Sequence, residues 1–146
     1  MGNGILRPDD LHFFYYDIGL NDLERTPIIY TLDDKIRTFL DSKGITLDPQ
    51  RNSRNTILPR YIEKDKMSFL YNTNETAEEA FFRHLRNAFA HYRISRNGDY
   101  FEMMDINPRN AEKVTMIGNV NCENLKEIYF LFKDQSVKYE ESLKNK

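Results

Sequence analysis

The sequence predicts a mainly α protein, a bundle of four or five helices with one small β-hairpin inserted after a motif-bearing helix. Three observations predict it. Apolar residues recur every three to four positions in several stretches, helix caps stand just ahead of those stretches, and a single Asn97-Gly98 pair sits between β-forming residues. At 146 residues the chain reads as one domain, 1–146, long enough to bury a core. Its 40% hydrophobic and 13% aromatic content predicts folding rather than disorder.

The first helix follows Pro8, with Asp9 and Asp10 as caps and Leu11, Phe14, Tyr15 and Ile18 at helical spacing; Gly19 weakens its end. A second starts at Thr31, has Asp34 near the reciprocal cap position, gathers Leu32, Ile36, Phe39 and Leu40 on one side, and stops at Gly44. Residues 45 to 58 read as a long connection, because Asp48-Pro49 and the run from Gln50 to Asn55 are polar, turn-prone and without an apolar period. Connections of that length in compact domains are usually functional or mobile. Pro59 then opens a stretch with Tyr61, Ile62, Met67, Phe69 and Leu70 that reads as helix, with strand nearly as good a fit.

Thr76-Ala77-Glu78-Glu79 has the spacing of a reciprocal cap, and Phe82, Leu85 and Phe89 form one apolar face after it, so this is the best-marked helix, running to about Tyr92. The period then changes. Tyr92, Ile94, Tyr100, Phe101, Met103 and Met104 flank Asn97-Gly98 as a hairpin. Lys113 to Gly118 adds a short strand, and Asn121 caps a long last helix with Leu125, Ile128, Tyr129 and Phe132 on its buried stripe, ending in a charged, frayed tail at 139–146.

A net charge of -2 and a pI near 5.9 exclude a chain that is basic all over, so any contact with nucleic acid is local. Two regions are locally basic: Arg51, Arg54, Arg60, Lys64 and Lys66, and then Arg83, Arg86, Arg93 and Arg96. The single Cys122 permits no disulfide within the chain and no zinc quartet, which fits a reducing cytoplasm. No signal-peptide run and no membrane-length apolar segment are present, so a soluble cytoplasmic protein is expected. Leu6 stands where a myristoylation signal from Gly2 needs Ser or Thr, and the Asn74-Glu75-Thr76 sequon is idle without secretion.

The functional signal is Arg86, Asn87 and His91 at the end of the best-marked helix. On the helical wheel His84, Asn87 and His91 fall within about 60° of one another, while Glu79, Arg83, Arg86 and Ala90 line a neighbouring face. Arg86 and His91 are about 140° apart, so one ideal helix does not bring them together; a facing second copy would. The trio suits cleavage of RNA. The 2′-hydroxyl needs a proton acceptor, the 5′-oxygen a donor, and the transition state positive charge and hydrogen-bond donors. An imidazole serves either proton role, a guanidinium binds phosphate with a forked pair of donors, and the amide orients one or the other. The scheme needs no metal or cofactor, and His84 and His91, two turns apart, do not chelate one ion unaided. Each residue also has a plainer reading, Arg86 as a surface ion pair and His91 as a helix-end residue favoured by the helix dipole.

The segment Arg86-Asn87-Ala88-Phe89-Ala90-His91 resembles the Arg-polar-x3-His motif of the HEPN superfamily of small helical-bundle proteins. From Phe81 to Tyr92, with Ile94 and the Asn-Gly hairpin beyond, it is similar to the nuclease-like families in which the motif helix precedes a short hairpin. Tyr92 stands where many relatives have Gly. The resemblance implies a metal-independent endoribonuclease with Arg86, Asn87 and His91 in its active site. Glu79, two turns before Arg86, is placed to hold the guanidinium or simply to cap the helix, and His84 and Arg83 are the other supporting candidates. It implies a homodimer sharing a composite site across a two-fold axis, an RNA substrate, and in toxin-antitoxin or other defence systems an antitoxin partner. The alternative is a non-catalytic RNA- or protein-binding module on the same fold.

Overall fold

A computed structural model describes residues 4–18, 34–61, 63–107 and 109–144, with the backbone alone at 110–112, 136–140 and 142–144. In chain order the elements are α1 (Pro8–His12), continued by a wider π-helical segment (Phe13–Ile18), α2 (Asp34–Lys43), β1 (Thr46–Arg51), β2 (Lys66–Tyr71), α3 (Ala77–Ala90), β3 (Ile94–Asn97), β4 (Tyr100–Asn107), β5 (Asn110–Asn121) and α4 (Cys122–Lys144). The five strands form one sheet in the order β1-β2-β5-β4-β3, with β1 parallel to β2 and every other pairing antiparallel. The mainly α bundle expected from the sequence is therefore corrected: this is a mixed α/β fold in which helices pack on one face of a sheet.

Each difference has a local cause. β1 falls in the stretch read as a connection; it is an edge strand, where Pro49 is tolerated because no ladder donor is lost on the open side. β2 was the stretch read as helix. Met67, Ser68, Phe69 and Leu70 are all buried, so the strand lacks the alternation that identifies a half-exposed one. Parallel pairing of β1 and β2 requires a crossover of a dozen or more residues, and the polar run after Arg51 supplies it. That crossover lays Leu58 on Leu70, Val114 and Ile117, forming a small apolar cluster on the sheet face away from the helices. β5, read as a short strand over 113–118, extends over 110–121.

The main core lies between the helices and the other face of the sheet. Phe13 and Phe14, Phe81, Phe82, Leu85, Tyr129 and Phe132 pack there against Met67, Phe69, Phe101 and Met103. Gly118 makes room at its centre. A Cβ there would stand 2.7 Å from Met67 Cγ, in the middle of a fully buried side chain. Gly118→Ala is expected to lower stability by about 1–3 kcal/mol, read from urea unfolding.

Several local readings match the structure. Asn97↔Tyr100 closes the β3–β4 hairpin. Asn121 Oδ1 accepts from the Asn124 amide at the start of α4, 3.1 Å away, and that helix runs on to Lys144 through the residues read as a tail. Thr31, Leu32, Gly19, Ile62 and residues 145–146 lie outside the described residues.

Helices α2 and α3 end in the same six-residue closure. Ile45 N–H bonds Leu40 O and Gly44 N–H bonds Asp41 O after α2; Arg93 N–H bonds Ala88 O and Tyr92 N–H bonds Phe89 O after α3. The residue at the turn is left-handed in both, Gly44 at φ 67 and Tyr92 at φ 58. A glycine adopts that conformation without strain, whereas an L side chain is destabilised there by about 1 kcal/mol or more.

One buried ionic cluster ties the amino-terminal helix to the sheet and to α4. Asp10, wholly buried, accepts from Arg96 Nη1 at 2.9 and 3.0 Å, from Lys126 Nζ at 3.1 Å and from the Arg7 amide at 2.9 Å. Cys122 is buried beside it, and that burial pushes its thiol up to about 11, so at neutral pH it is an unreactive thiol. No described helix is long and apolar enough to cross a membrane.

Candidate functional site

Helix α3 begins as its sequence requires. The Glu79 amide donates to Thr76 Oγ1 at 3.1 Å, and Glu79 Oε1 accepts from the Thr76 amide at 2.7 Å. This reciprocal cap fixes where each later residue of α3 points, and it gives Glu79 a structural task at the opposite end of the helix from His91. Phe81, Leu85 and Ala88 are buried against the sheet, and His84 is buried with them rather than lying on the polar face that the wheel assigned to it.

The carboxyl-terminal half of α3 forms one wall of a cleft of about 380 Å³. Arg83, His84, Asn87 and His91 line it, joined by Asn52 and Asn72 just beyond β1 and β2, and by Asp105 and Asn107 on β4. Thr115 completes it through a break in strand register. Asp105 pairs with Met116 and Ile106 with Val114, so Thr115 is an extra residue in β5 and its side chain is turned into the cleft wall.

The two imidazoles of this cleft are unlike. Both ring nitrogens of His84 are engaged, Nδ1 with Asp105 Oδ2 and Nε2 with Leu70 O, each at 2.7 Å. A carbonyl only accepts, so Nε2 carries a proton. The Nδ1 contact then takes one of two forms, imidazolium with carboxylate or neutral imidazole with a protonated carboxyl. In either form His84 pins α3 across β2 and β4 and has no ring nitrogen left for a ligand. His91 is exposed. It caps the helix just past Ala90, held by its own amide to Asn87 O at 3.0 Å, and it lines the cleft one turn after Asn87.

The guanidinium lining the cleft belongs to Arg83. It is gripped by Glu75, Nε to Oε2 at 3.1 Å and Nη2 to Oε1 at 2.7 Å. Arg86, the arginine of the sequence motif, is exposed and does not line the cleft. The structure thus brings together Asn87, His91, His84 and Arg83, and leaves Arg86 and Glu79 outside. Sequence reasoning missed Asn52, Asn72, Asp105, Asn107 and Thr115. Asp105 carried a signal: with Phe101 and Met103 it occupies the inward positions of an alternating strand, where a carboxylate needs a buried partner. Among the described residues, no three His, Cys, Asp or Glu side chains group as a metal site requires.

Compared with protein-family models, curated proteins and solved structures, the chain matches none. The class that fold and site define is a two-layer α/β protein with a polar cleft at one end of its central helix. Function must be argued from the cleft itself.

Proposed function

We propose that this cleft cleaves RNA by side-chain acid–base chemistry, as the motif resemblance implied. The observation that carries the proposal is the pairing of one exposed histidine, His91, with Asn87 on a cleft whose other lining residues are polar except Leu70 and Ile106, the second imidazole being locked away. In the reaction His91 removes the 2′-hydroxyl proton, the 2′-oxygen bonds to the adjacent phosphorus, and the 5′-oxygen leaves with a proton from water. The products are a 2′,3′-cyclic phosphate and a 5′-hydroxyl. Asn87 and the Arg83 edge supply donors to the phosphoryl oxygens as charge develops. A volume of about 380 Å³ suits one nucleotide rather than a duplex, so the substrate strand is unpaired.

Arg86 enters this scheme only from a second chain. In a homodimer with facing α3 helices, its guanidinium reaches the partner's cleft and adds a second forked donor for the phosphate.

The test is incubation of the purified protein with unpaired RNA in EDTA. New 2′,3′-cyclic phosphate ends, absent with His91→Ala, support cleavage; retention of RNA without new ends supports the binding-module alternative instead. If the chain is a toxin restrained by a protein partner, expression by itself slows growth and His91→Ala relieves the defect.

Tyr92 gives a separate prediction. Its side chain is 95% exposed beside His91 despite the left-handed backbone, and in this scheme it is a platform on which an unpaired base stacks. Tyr92→Gly is expected to raise unfolding stability by about 1 kcal/mol and to weaken RNA binding by about 1–3 kcal/mol. Thermal melts and binding titrations on the same sample check the two effects, and a gain in stability with undiminished binding would show that Tyr92 carries no base.

A further inference from the structure

Beyond His91, two residues of the cleft wall, Asn52 and Asn72, and Lys113 behind them form a chain whose hydrogen bonds run in one direction. Lys113 Nζ lies 2.8 Å from Asn52 Oδ1 and 3.2 Å from Ser53 O, and Asn52 Nδ2 lies 2.9 Å from Asn72 Oδ1. A lysine ammonium only donates. The Asn52 atom facing it is therefore the oxygen, its amide nitrogen is the donor to Asn72, and the Asn72 oxygen is the acceptor. This ordering removes the ambiguity that side-chain amides ordinarily carry. It leaves Asn72 Nδ2 as an oriented donor on an exposed residue of the cleft wall.

The carboxylates of the cleft are engaged. Glu75 is matched by Arg83 and its Oε1 also accepts from the Asn72 backbone amide at 2.9 Å, and Asp105 faces His84. Both acceptors of Lys113 are uncharged oxygens, so among the described residues its charge is set against no carboxylate. The exposed Arg51 and Arg54 bracket Asn52 and Ser53 in the chain, and the exposed Arg109 stands two residues after Asn107, which also lines the cleft.

We infer that the Asn52–Asn72 end of the cleft, backed by Lys113, is a phosphate subsite for an RNA strand, adjoining the position where His91 acts. Asn72 Nδ2 donates to a phosphate oxygen, and Lys113 supplies the counter-charge while holding Asn52, and through it Asn72, in the donating orientation. Lys113 is a positioning residue, since it reaches the cleft through Asn52. The inference rests on the ribonuclease reading for the identity of the strand and not for the anion chemistry.

The experiment uses the full chain and a short unpaired 2′-O-methyl RNA, which has the phosphates of RNA but no free 2′-hydroxyl to attack them. Affinity is measured over a range of salt concentration for the wild type, Lys113→Met, Lys113→Arg and Asn72→Asp. Lys113→Met is expected to weaken binding by roughly three- to tenfold and to reduce the slope of log K against log salt by about 0.7, the loss of one phosphate neutralised on a single strand. Lys113→Arg keeps the wild-type slope. Asn72→Asp, which replaces a donor by an acceptor, weakens binding by at least about tenfold. A merely structural lysine would change thermal stability and leave the slope alone. An unchanged slope in Lys113→Met, equal loss in Lys113→Met and Lys113→Arg, or undiminished binding by Asn72→Asp overturns the subsite. Lys113-dependent binding with no cleavage of ordinary RNA upholds the subsite and overturns the ribonuclease reading.

Discussion

If the cleft cleaves RNA as proposed, His91→Ala is expected to lower that cleavage by about 10²- to 10⁴-fold, the usual contribution of a positioned general acid or base, while changing stability by less than about 0.5 kcal/mol. The two effects separate because the His91 imidazole is exposed and the helix closure around it is made by backbone groups, His91 N–H to Asn87 O and Tyr92 N–H to Phe89 O. Single-turnover cleavage and urea unfolding measured on the same preparation check both halves. His84→Ala is the instructive contrast. It leaves Asp105 and Leu70 O without their buried partner, so any loss of activity in that variant comes with a loss of stability. An active His91→Ala enzyme would remove this imidazole from the mechanism.

The same variant tests whether the site is shared between two chains. If Arg86 of one chain serves His91 of another, mixing Arg86→Ala with His91→Ala protein restores about a quarter of wild-type activity after subunit exchange, because half the dimers are mixed and each has one intact site. If each chain works alone, the mixture stays inactive wherever both single variants are inactive. The outcome also ranks the two arginines. Arg83→Ala should impair a site contained in one chain, since Arg83 lines the cleft, whereas Arg86→Ala should impair only a shared one.

What could be read from sequence follows from how local each determinant is. Helix α3 is specified by Thr76, Glu79 and the spacing of its apolar residues, all within one segment, and the β3–β4 turn by Asn97-Gly98. Both were legible. The sheet was not, because its strands are defined by partners far along the chain. β2 is buried on both faces and so has no alternation, and β1 is polar and contains Pro49. The register of β5 depends on a break opposite Asp105 and Ile106 that no local pattern announces. The site divides in the same way. His84, Asn87 and His91 share a helix and fall on one side of it by periodicity, whereas Asn52, Asn72 and Thr115 reach them only once β1, β2 and β5 have paired. Arg86 illustrates the limit of motif reading: its spacing to His91 is right, and its direction is not that of the cleft.

Replacing Asp10 by alanine is expected to destabilise the fold by about 3–5 kcal/mol, as breaking a buried ion pair does when it strands the partner charge. Arg96 is 8% exposed, and besides Asp10 its guanidinium reaches Gly98 O through Nε; Lys126 also points at the lost carboxylate. Out of a typical total of about 5–15 kcal/mol, that is enough to unfold a large fraction of the molecules on mild heating. The pH dependence has a definite sign. Burial taken alone raises the Asp10 carboxyl, but the Arg7 amide, Lys126 and Arg96 outweigh it and hold the group below its ordinary value of 3.8. A carboxylate depressed in the folded state contributes stability that is fully present above its unfolded value, about 3.9, and is lost as pH falls through the folded one. Wild-type stability should therefore decline from about pH 4 downward, with a steeper slope than in Asp10→Asn, which has no proton to take up there. Urea titrations between pH 7 and pH 2.5 measure both slopes. Parallel curves for the two proteins would mean that Arg96 and Lys126 do not hold the Asp10 charge, and that the amino-terminal helix is secured by Phe13 and Phe14 in the core instead.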